Sequence, residues 1–331
     1  MATIAVTMGD PAGIGPEIVL RALQSATVME RCTPVVVGHA ETLRRCAEAI
    51  GLAGVEIATI ADPGEAAARV GRVDVLSVAV PGLESIQPGV VQAACGQAAD
   101  AFVRRACALG LAGAVDAITT APIHKEALRA AGVPHIGHTE MLAEYLGAPE
   151  PLTLFLTGKM RIFFLSRHLS LRQAIDYVTR ERVLAMLRQV HQAMVAFGFP
   201  APRIAVAALN PHASDGGLFG TEEAEHLIPA VAAARAEGID AVGPIGADSV
   251  FHQALEGQHD CVLSLYHDQG HIAAKTRDFF GTVTATLALP VLRTSVDHGT
   301  AFDIAWQGKA SPVSMEAAIL AAVDLLAARA T

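Results

Sequence analysis

The chain has 331 residues, enough to bury a sizeable core and to form two domains of ordinary size. A hydrophobic fraction of 52% against 17% charged residues excludes an intrinsically disordered chain. With 24 basic and 33 acidic residues the formal net charge is −9, and no basic stripe of the kind a nucleic-acid binder needs is present.

The predicted elements alternate between short apolar runs and longer amphipathic segments, the pattern of an α/β fold with mostly parallel strands. A first strand at Ile4–Met8 leads through a glycine-rich turn, Met8 to Glu17, into a helix with Pro16 at its first position and Ile18, Val19, Leu20 and Leu23 behind it. That turn is not the GxGxxG of a dinucleotide fold, because Ile18 stands where the third glycine belongs, and it lacks the GK[ST] of a P-loop. Further strands are expected at Pro34–Val37, Ala117–Thr120, Leu152–Leu156 and Arg161–Ser166. Ser170 and Gln173 have capping-box spacing, and a long helix from about Thr179 to Phe197 stops at Gly198. Arg203–Leu209 is the next strand, Thr221 caps a helix ending at Gly238, and Asp248 opens another. Cys261–Tyr266 and Thr282–Leu287 complete the strands.

Five cysteines, Cys32, Cys46, Cys95, Cys107 and Cys261, form no CxxC pair, which points to reduced thiols buried in a cytoplasmic protein. The expectation of a soluble cytoplasmic chain also rests on the lack of a signal-peptide pattern and of any apolar run long enough to cross a membrane. No repeat or long linker marks a boundary between domains.

Among the 13 histidines, three share a setting. His168 follows Arg161–Ser166, His212 follows Arg203–Leu209, and His267 follows Cys261–Tyr266 directly. Ligand crevices of parallel α/β sheets lie beyond the carboxyl ends of strands, so three imidazoles delivered there could hold a divalent metal with positions left open for substrate. The bland alternative is three hydrogen-bonded loop residues. Asp268, beside His267, could orient a histidine, coordinate the metal or accept a proton. Asp248 reads either as an N-cap or as a site acid. Lys125, Lys275 and Arg293 are the cationic candidates. Arg293, set between apolar Leu289–Leu292 and Thr294–Val296, wants a carboxylate or a phosphate, and the anion could be structural or a substrate.

Six motifs in order make the chain resemble the 4-hydroxythreonine-4-phosphate dehydrogenase (PdxA) family over essentially its whole length. They are GDPAGIGPE at Gly9–Glu17, APIHK at Ala121–Lys125, GHTE at Gly137–Glu140, LNPHASDGG at Leu209–Gly217, YHDQG at Tyr266–Gly270 and RTSVDHGTA at Arg293–Ala301. The resemblance implies a two-domain α/β fold like that of the isocitrate and isopropylmalate dehydrogenases, with mostly parallel sheets and a cleft between domains. The expected domains are residues 1–125 with 290–331 (chain termini and NAD loop) and 126–289 (metal ligands and dimer contacts).

By the same resemblance His168, His212 and His267 are the metal ligands, zinc first, with cobalt, manganese or magnesium as alternatives. The active site is shared across a homodimer, with the His267 position supplied by the second copy. His138, Thr139, Lys275, Thr284 and Arg293 fall on substrate contacts, and Asp248, Asp268 and Lys125 are the catalytic candidates. The loop His298-Gly299-Thr300-Ala301-Phe302-Asp303 aligns with an NAD-binding loop, in which Asp303 would accept a ribose hydroxyl and repel a 2′-phosphate. Three departures, Thr284 where the family carries Asn, the segment Thr276–Gly281 and His271 where the biosynthetic enzymes usually carry leucine, count against the amino-acid substrate, and His271 resembles the branch that acts on D-threonate or D-erythronate 4-phosphate. The expected reaction is therefore NAD- and metal-dependent oxidation with decarboxylation to dihydroxyacetone phosphate and CO2. The alternative is 4-hydroxythreonine 4-phosphate oxidation in pyridoxal phosphate synthesis; a dihydrodiol dicarboxylate dehydrogenase or a metal-dependent hydrolase ranks behind both.

Overall fold

β-Branched and small apolar residues build the strands, and the computed structural model describes residues 1–148 and 151–329. In chain order the first strands are β1 (Ala2–Thr7), β2 (Cys32–Gly38), β3 (Glu56–Thr59), β4 (Arg72–Ser77) and β5 (Ala117–Thr120). Then come β6 (Leu152–Thr157), β7 (Met160–Phe164), β8 (Ile204–Ala207), β9 (Ala241–Ile245) and β10 (Cys261–Ser264), followed by β11 (Val283–Leu287) and β12 (Leu292–Val296). The chain divides into a first unit, Met1–Pro151 with Val283–Ala327, and a second, Leu152–Thr282 with Ala328–Thr331.

In the first unit the strand order is β3-β4-β2-β1-β5-β12-β11. All of these neighbours run parallel except β11 and β12, which are antiparallel. Ile4, Val6, Val35, Val37 and Ile118 are buried on the sheet, a continuous apolar reading that parallel strands covered on both faces require. In the second unit the order is β6-β7-β10-β8-β9, with only β6 and β7 antiparallel. Its core gathers Phe155, Ile162, Phe164, Val250, Phe251 and Val262. The expected two-unit α/β architecture is thus present.

The sequence reading left out β3, β4, β9 and β12. Charge hid β4: Asp74 lies inside it, 4% exposed, and is satisfied by Arg72 at 2.8 Å and by the Ala67 N–H at 2.8 Å. The unit boundaries also differ from expectation, since residues 126–148 belong to the first unit and the chain leaves it at Pro151 rather than after Lys125. The cause is the helix Ala93–Leu111. Its Gly96 lets the helix Lys125–Ala130 approach so closely that a Cβ there would sit 2.0 Å from the Ala127 carbonyl oxygen. Farther along, Asp100 and Arg104 of the same helix hold Tyr145, so the helix His138–Tyr145 is bound to this unit as well.

Helix ends follow local chemistry. Ser170 and Gln173 form both bonds of the capping box on the helix Leu171–Tyr177. Thr179 caps Arg180–Ala196, and Gly198 follows it at φ +84°. The expected helix after Thr221 opens instead with a π turn, Glu223–Leu227, before Ile228–Ala236. Asp248 is not an N-cap: Gly246 holds that position, and Asp248 lies exposed in the first turn of Ala247–Leu255. All five cysteines are buried and unpaired, and burial pushes the Cys32 thiol up to about 11. Among the described residues no helix is long and apolar enough to cross a membrane.

Candidate active site

In the first unit, loops at the carboxyl ends of β1, β5 and β12 interlock. Gly9 turns at φ +72°, and a Cβ there would lie 2.4 Å from the Pro122 carbonyl, so the turn after β1 can lean on the loop after β5 only as glycine. The Asp10 N–H donates to the Pro122 carbonyl at 2.9 Å, and the Ile14 N–H to the Thr300 carbonyl at 2.9 Å. His124 stacks on Phe302 with ring centroids 4.5 Å apart. GDPAGIGPE, APIHK and the His298–Asp303 loop therefore form one assembly.

That assembly presents an open backbone edge. Nothing lies within 4 Å of a Cβ built on Gly299, Ala301 is left-handed at φ +39°, and the Asp303 carboxylate is exposed. A dinucleotide's ribose and phosphate need such close backbone approach with an acidic acceptor nearby, so His298, Gly299, Thr300, Ala301 and Asp303 fit NAD. His298 Nδ1 lies 3.0 Å from the Gly299 carbonyl.

Asp10, which sequence reasoning passed over inside its motif, is fully buried. One carboxylate oxygen accepts from the Ala12 N–H at 2.8 Å and the other, Oδ2, has no partner among the described residues. Burial pushes its pKa up to about 6, against a smaller downward pull from the Ala12 N–H.

Arg293 of β12 is 5% exposed and cross-braced by hydroxyls: Nε and Nη2 donate to Thr120 Oγ1 at 3.1 and 2.6 Å, and Nη1 to Thr286 Oγ1 at 3.1 Å. Strand register brings these groups together, with Thr286 opposite Arg293 and Thr120 one strand over on β5. His138 is half-buried at the start of its helix, and its Nε2 has no partner among the described residues. Burial first, and then the charge of Arg293, hold the His138 pKa well below the usual histidine range. A neutral imidazole and a fixed guanidinium are thus set near each other, which suits an anionic, hydroxyl-bearing ligand. Thr139 follows His138 on the same helix, half-buried. Thr284 Oγ1 lies 3.4 Å from Asp297 Oδ1. Lys125 is exposed and lines an open groove of about 270 Å³ with Arg129 and His135.

The second unit carries the other candidates. His267 opens the helix His267–Arg277, and its Nδ1 lies 2.7 Å from Asp268 Oδ1. A carboxylate on one ring nitrogen fixes the proton there and leaves Nε2 as a lone-pair donor, the arrangement of a metal-ligating histidine. His168 is exposed after β7, its ring 6.5 Å from that of His267. His212 is exposed on a loop whose residues His212, Ala213, Ser214, Asp215 and Gly216 are all left-handed. Three imidazoles of this kind suit a divalent cation chemically. Within one chain, among the described residues, no three histidine, cysteine or acidic side chains gather around a common point. Asp248 is exposed, and the Lys275 ammonium lies 5.3 Å from the centre of the Phe279 ring. Sequence reasoning missed Glu223, 1% exposed, which accepts from the Leu209 and Asn210 N–H groups at 2.9 and 2.7 Å.

Parallel sheets in two units carry the candidate groups on loops beyond strand carboxyl ends, where α/β enzymes bind their ligands. The chain belongs to the PdxA family: the model of "pyridoxal phosphate biosynthetic protein PdxA" matches residues 30–322. A protein of Halalkalibacterium halodurans, provisionally named a D-threonate 4-phosphate dehydrogenase, is 51% identical over 316 residues, covering 96% of this chain and 94% of its own. A protein of Symbiobacterium thermophilum with the same provisional name is 50% identical over the same shares. The crystal structure of 4-hydroxythreonine-4-phosphate dehydrogenase from Klebsiella pneumoniae superposes with a TM-score of 0.92 at 44% identity, covering 98% of both chains. The protein is accordingly an NAD-dependent dehydrogenase.

Proposed function

We propose that the protein oxidises D-threonate or D-erythronate 4-phosphate with NAD and releases CO2, giving dihydroxyacetone phosphate. The observation that carries this reading is the first unit's anion seat, in which hydroxyl-braced Arg293 lies close enough to His138 for its charge to depress that imidazole's pKa. The two relatives at 51% and 50% identity support a sugar-acid substrate over the amino acid. His271 points the same way, and Thr284 and the segment Thr276–Gly281 also depart from the biosynthetic pattern.

In this scheme Arg293 and Lys275 bind the substrate's anionic ends. Neutral His138, with Thr139 and Thr284, orients its hydroxyls. Asp268, Asp248 or Lys125 takes the proton of the C3 hydroxyl as hydride leaves C3 for NAD, and the 3-keto acid formed loses its carboxylate as CO2. His168, His212 and, from a second copy of the chain, the His267 position would hold a divalent metal, zinc in the first instance. When bound, the metal supplies Lewis-acid polarisation of the substrate oxygens. The working form is then a homodimer in the cytoplasm, with Asp268 orienting the His267 imidazole.

The test is NADH formation by the zinc-supplemented protein with D-threonate 4-phosphate, D-erythronate 4-phosphate and 4-hydroxythreonine 4-phosphate side by side. A kcat/KM at least tenfold higher for a sugar acid is the expected result. Preference for 4-hydroxythreonine 4-phosphate, the substrate in the name of the Klebsiella relative, would return the protein to pyridoxal phosphate synthesis.

A further inference from the structure

The loop that carries His212 is an unusual piece of backbone. Residues His212 through Gly216 have φ of 53, 53, 71, 44 and 69°, and only the last is glycine. Left-handed runs of side-chain-bearing residues are sterically disfavoured and persist only where the surroundings over-determine them. Here one buried carboxylate does so. Glu223 Oε1 accepts from the Leu209 and Asn210 N–H groups at 2.9 and 2.7 Å, and Oε2 accepts from the Asn210 amide at 2.8 Å and from Ser214 Oγ. It therefore grips the loop on both sides of His212.

Its own backbone is fixed as well. Glu223 is the first residue of the π turn Glu223–Leu227, a local widening that proteins use to re-aim a side chain inside a helix. Gly220, at φ +134°, brings the chain back so tightly that a Cβ there would lie 2.7 Å from the Asn210 amide nitrogen. The Asn210 amide also reaches Glu222 at 2.7 Å.

We infer that Glu223 is the positioning residue for His212: it holds the left-handed loop so that the imidazole is presented outward in one fixed place. The inference rests on the reading of His212 as a metal ligand. Glu223 acts only through the loop, and its loss is felt as a misplaced ligand rather than as missing chemistry. Glu223→Gln keeps the shape but puts an amide N–H₂ where Oε2 or Oε1 accepts, so at least one loop donor loses its partner.

The experiment compares the intact protein with Glu223→Gln and Ser214→Ala. Hydrogen exchange is followed over residues 209–216, Zn²⁺ affinity by competition with a chromophoric chelator, and turnover as a function of added Zn²⁺. Glu223→Gln is expected to speed exchange in 209–216 at least tenfold and to weaken Zn²⁺ binding at least tenfold. Saturating Zn²⁺ should then restore most of kcat, a rescue that a purely structural role would not show. Ser214→Ala, which leaves three of the four bonds, should weaken Zn²⁺ binding about threefold and carries the test if Glu223→Gln does not fold. Zn²⁺ affinity within twofold of the parent in the folded variants overturns the inference, whatever the exchange rates, and so does a parent chain with no Zn²⁺ affinity. A parent that binds Zn²⁺ tightly yet makes no NADH from any phosphorylated acid refutes the proposed substrate alone.

Discussion

His267 and His271 stack face to face, with ring centroids 3.6 Å apart and planes within 11°. They stand one turn apart on the helix His267–Arg277, the spacing that places two side chains on one face. The His271 Nδ1–H donates to the His267 carbonyl at 2.8 Å. Behind it, the rings of Phe155 and Phe164 lie with centroids 4.2 and 4.7 Å away. Asp268 thus meets the Nδ1 edge of the His267 ring and His271 covers its face.

A leucine at position 271 would keep the apolar contact with the phenylalanines but lose the stack. An aromatic pair of this kind contributes about 1 kcal/mol, so His271→Leu should weaken Zn²⁺ binding roughly fivefold while the unfolding midpoint in denaturant changes little. His271→Phe should recover most of the affinity, since it restores a flat ring. Chelator competition measures both, and equal affinities for leucine and phenylalanine would show that the stack is incidental.

Asp10 makes stability depend on pH. Its pKa is raised from 3.8 to about 6, so the folded chain holds this proton more tightly than the unfolded chain. The contribution is complete below about pH 4 and is lost as pH rises through 6, amounting to about 3 kcal/mol in all. Asp10→Asn has no charge to desolvate and should escape this loss. Denaturant unfolding at pH 4 and pH 7.5 should show the parent falling relative to the variant by about that amount. Parallel behaviour of the two proteins would mean that Oδ2 finds a partner in solution.

Neither the ring stack nor the burial of Asp10 was legible in the sequence, whereas much of the fold was. Apolar runs announced β1, β2, β5 and the strands before each candidate histidine, because parallel strands buried on both faces must read as apolar. Ser170 with Gln173, and Gly198 after the long helix, were readable because caps depend on a single residue's chemistry. Arg293 stood out as a cation among apolar neighbours, although its strand was not expected. Other features were not readable, for reasons of distance. The Glu223 carboxylate acts on residues 9 to 14 positions away, and Ala213 and Ser214 have no left-handed preference of their own. Gly96 shows its purpose only beside Ala127, so the packing of residues 126–148 within the first unit was not readable.

Arg293 depends on two hydroxyls, which separates its charge from its aim. Arg293→Lys keeps the charge but cannot reach Thr120 and Thr286 together, because an ammonium lacks the planar fork. It should lower kcat/KM at least a hundredfold, chiefly through KM. Thr120→Val removes the acceptor for Nε and Nη2 and leaves the guanidinium in place, so a loss of about tenfold is expected. His138 is already neutral, so neither protein should show an inflection in kcat/KM near pH 6.5 from that residue. Steady-state kinetics across pH 5.5–8.5 would reveal a contrary result as a larger loss for the threonine variant than for the lysine.

Gly96 is the most exacting position in the first unit. An added methyl would meet the Ala127 carbonyl oxygen at 2.0 Å and its carbon at 2.3 Å, both rigid backbone atoms. The helices Ala93–Leu111 and Lys125–Ala130 must therefore separate, at a cost of about 3 kcal/mol or more. Gly299→Ala adds the same methyl to a position with nothing within 4 Å and should leave stability unchanged within about 0.5 kcal/mol. Because the displaced helix begins with Lys125 and is followed by His138, Gly96→Ala should also raise KM for the phosphorylated acid more than it lowers kcat. Denaturant titration and kinetics on the two alanine variants decide the matter. A Gly96→Ala protein as stable as Gly299→Ala would show that the two helices can part without strain and that their close approach does not hold residues 125–148 in place.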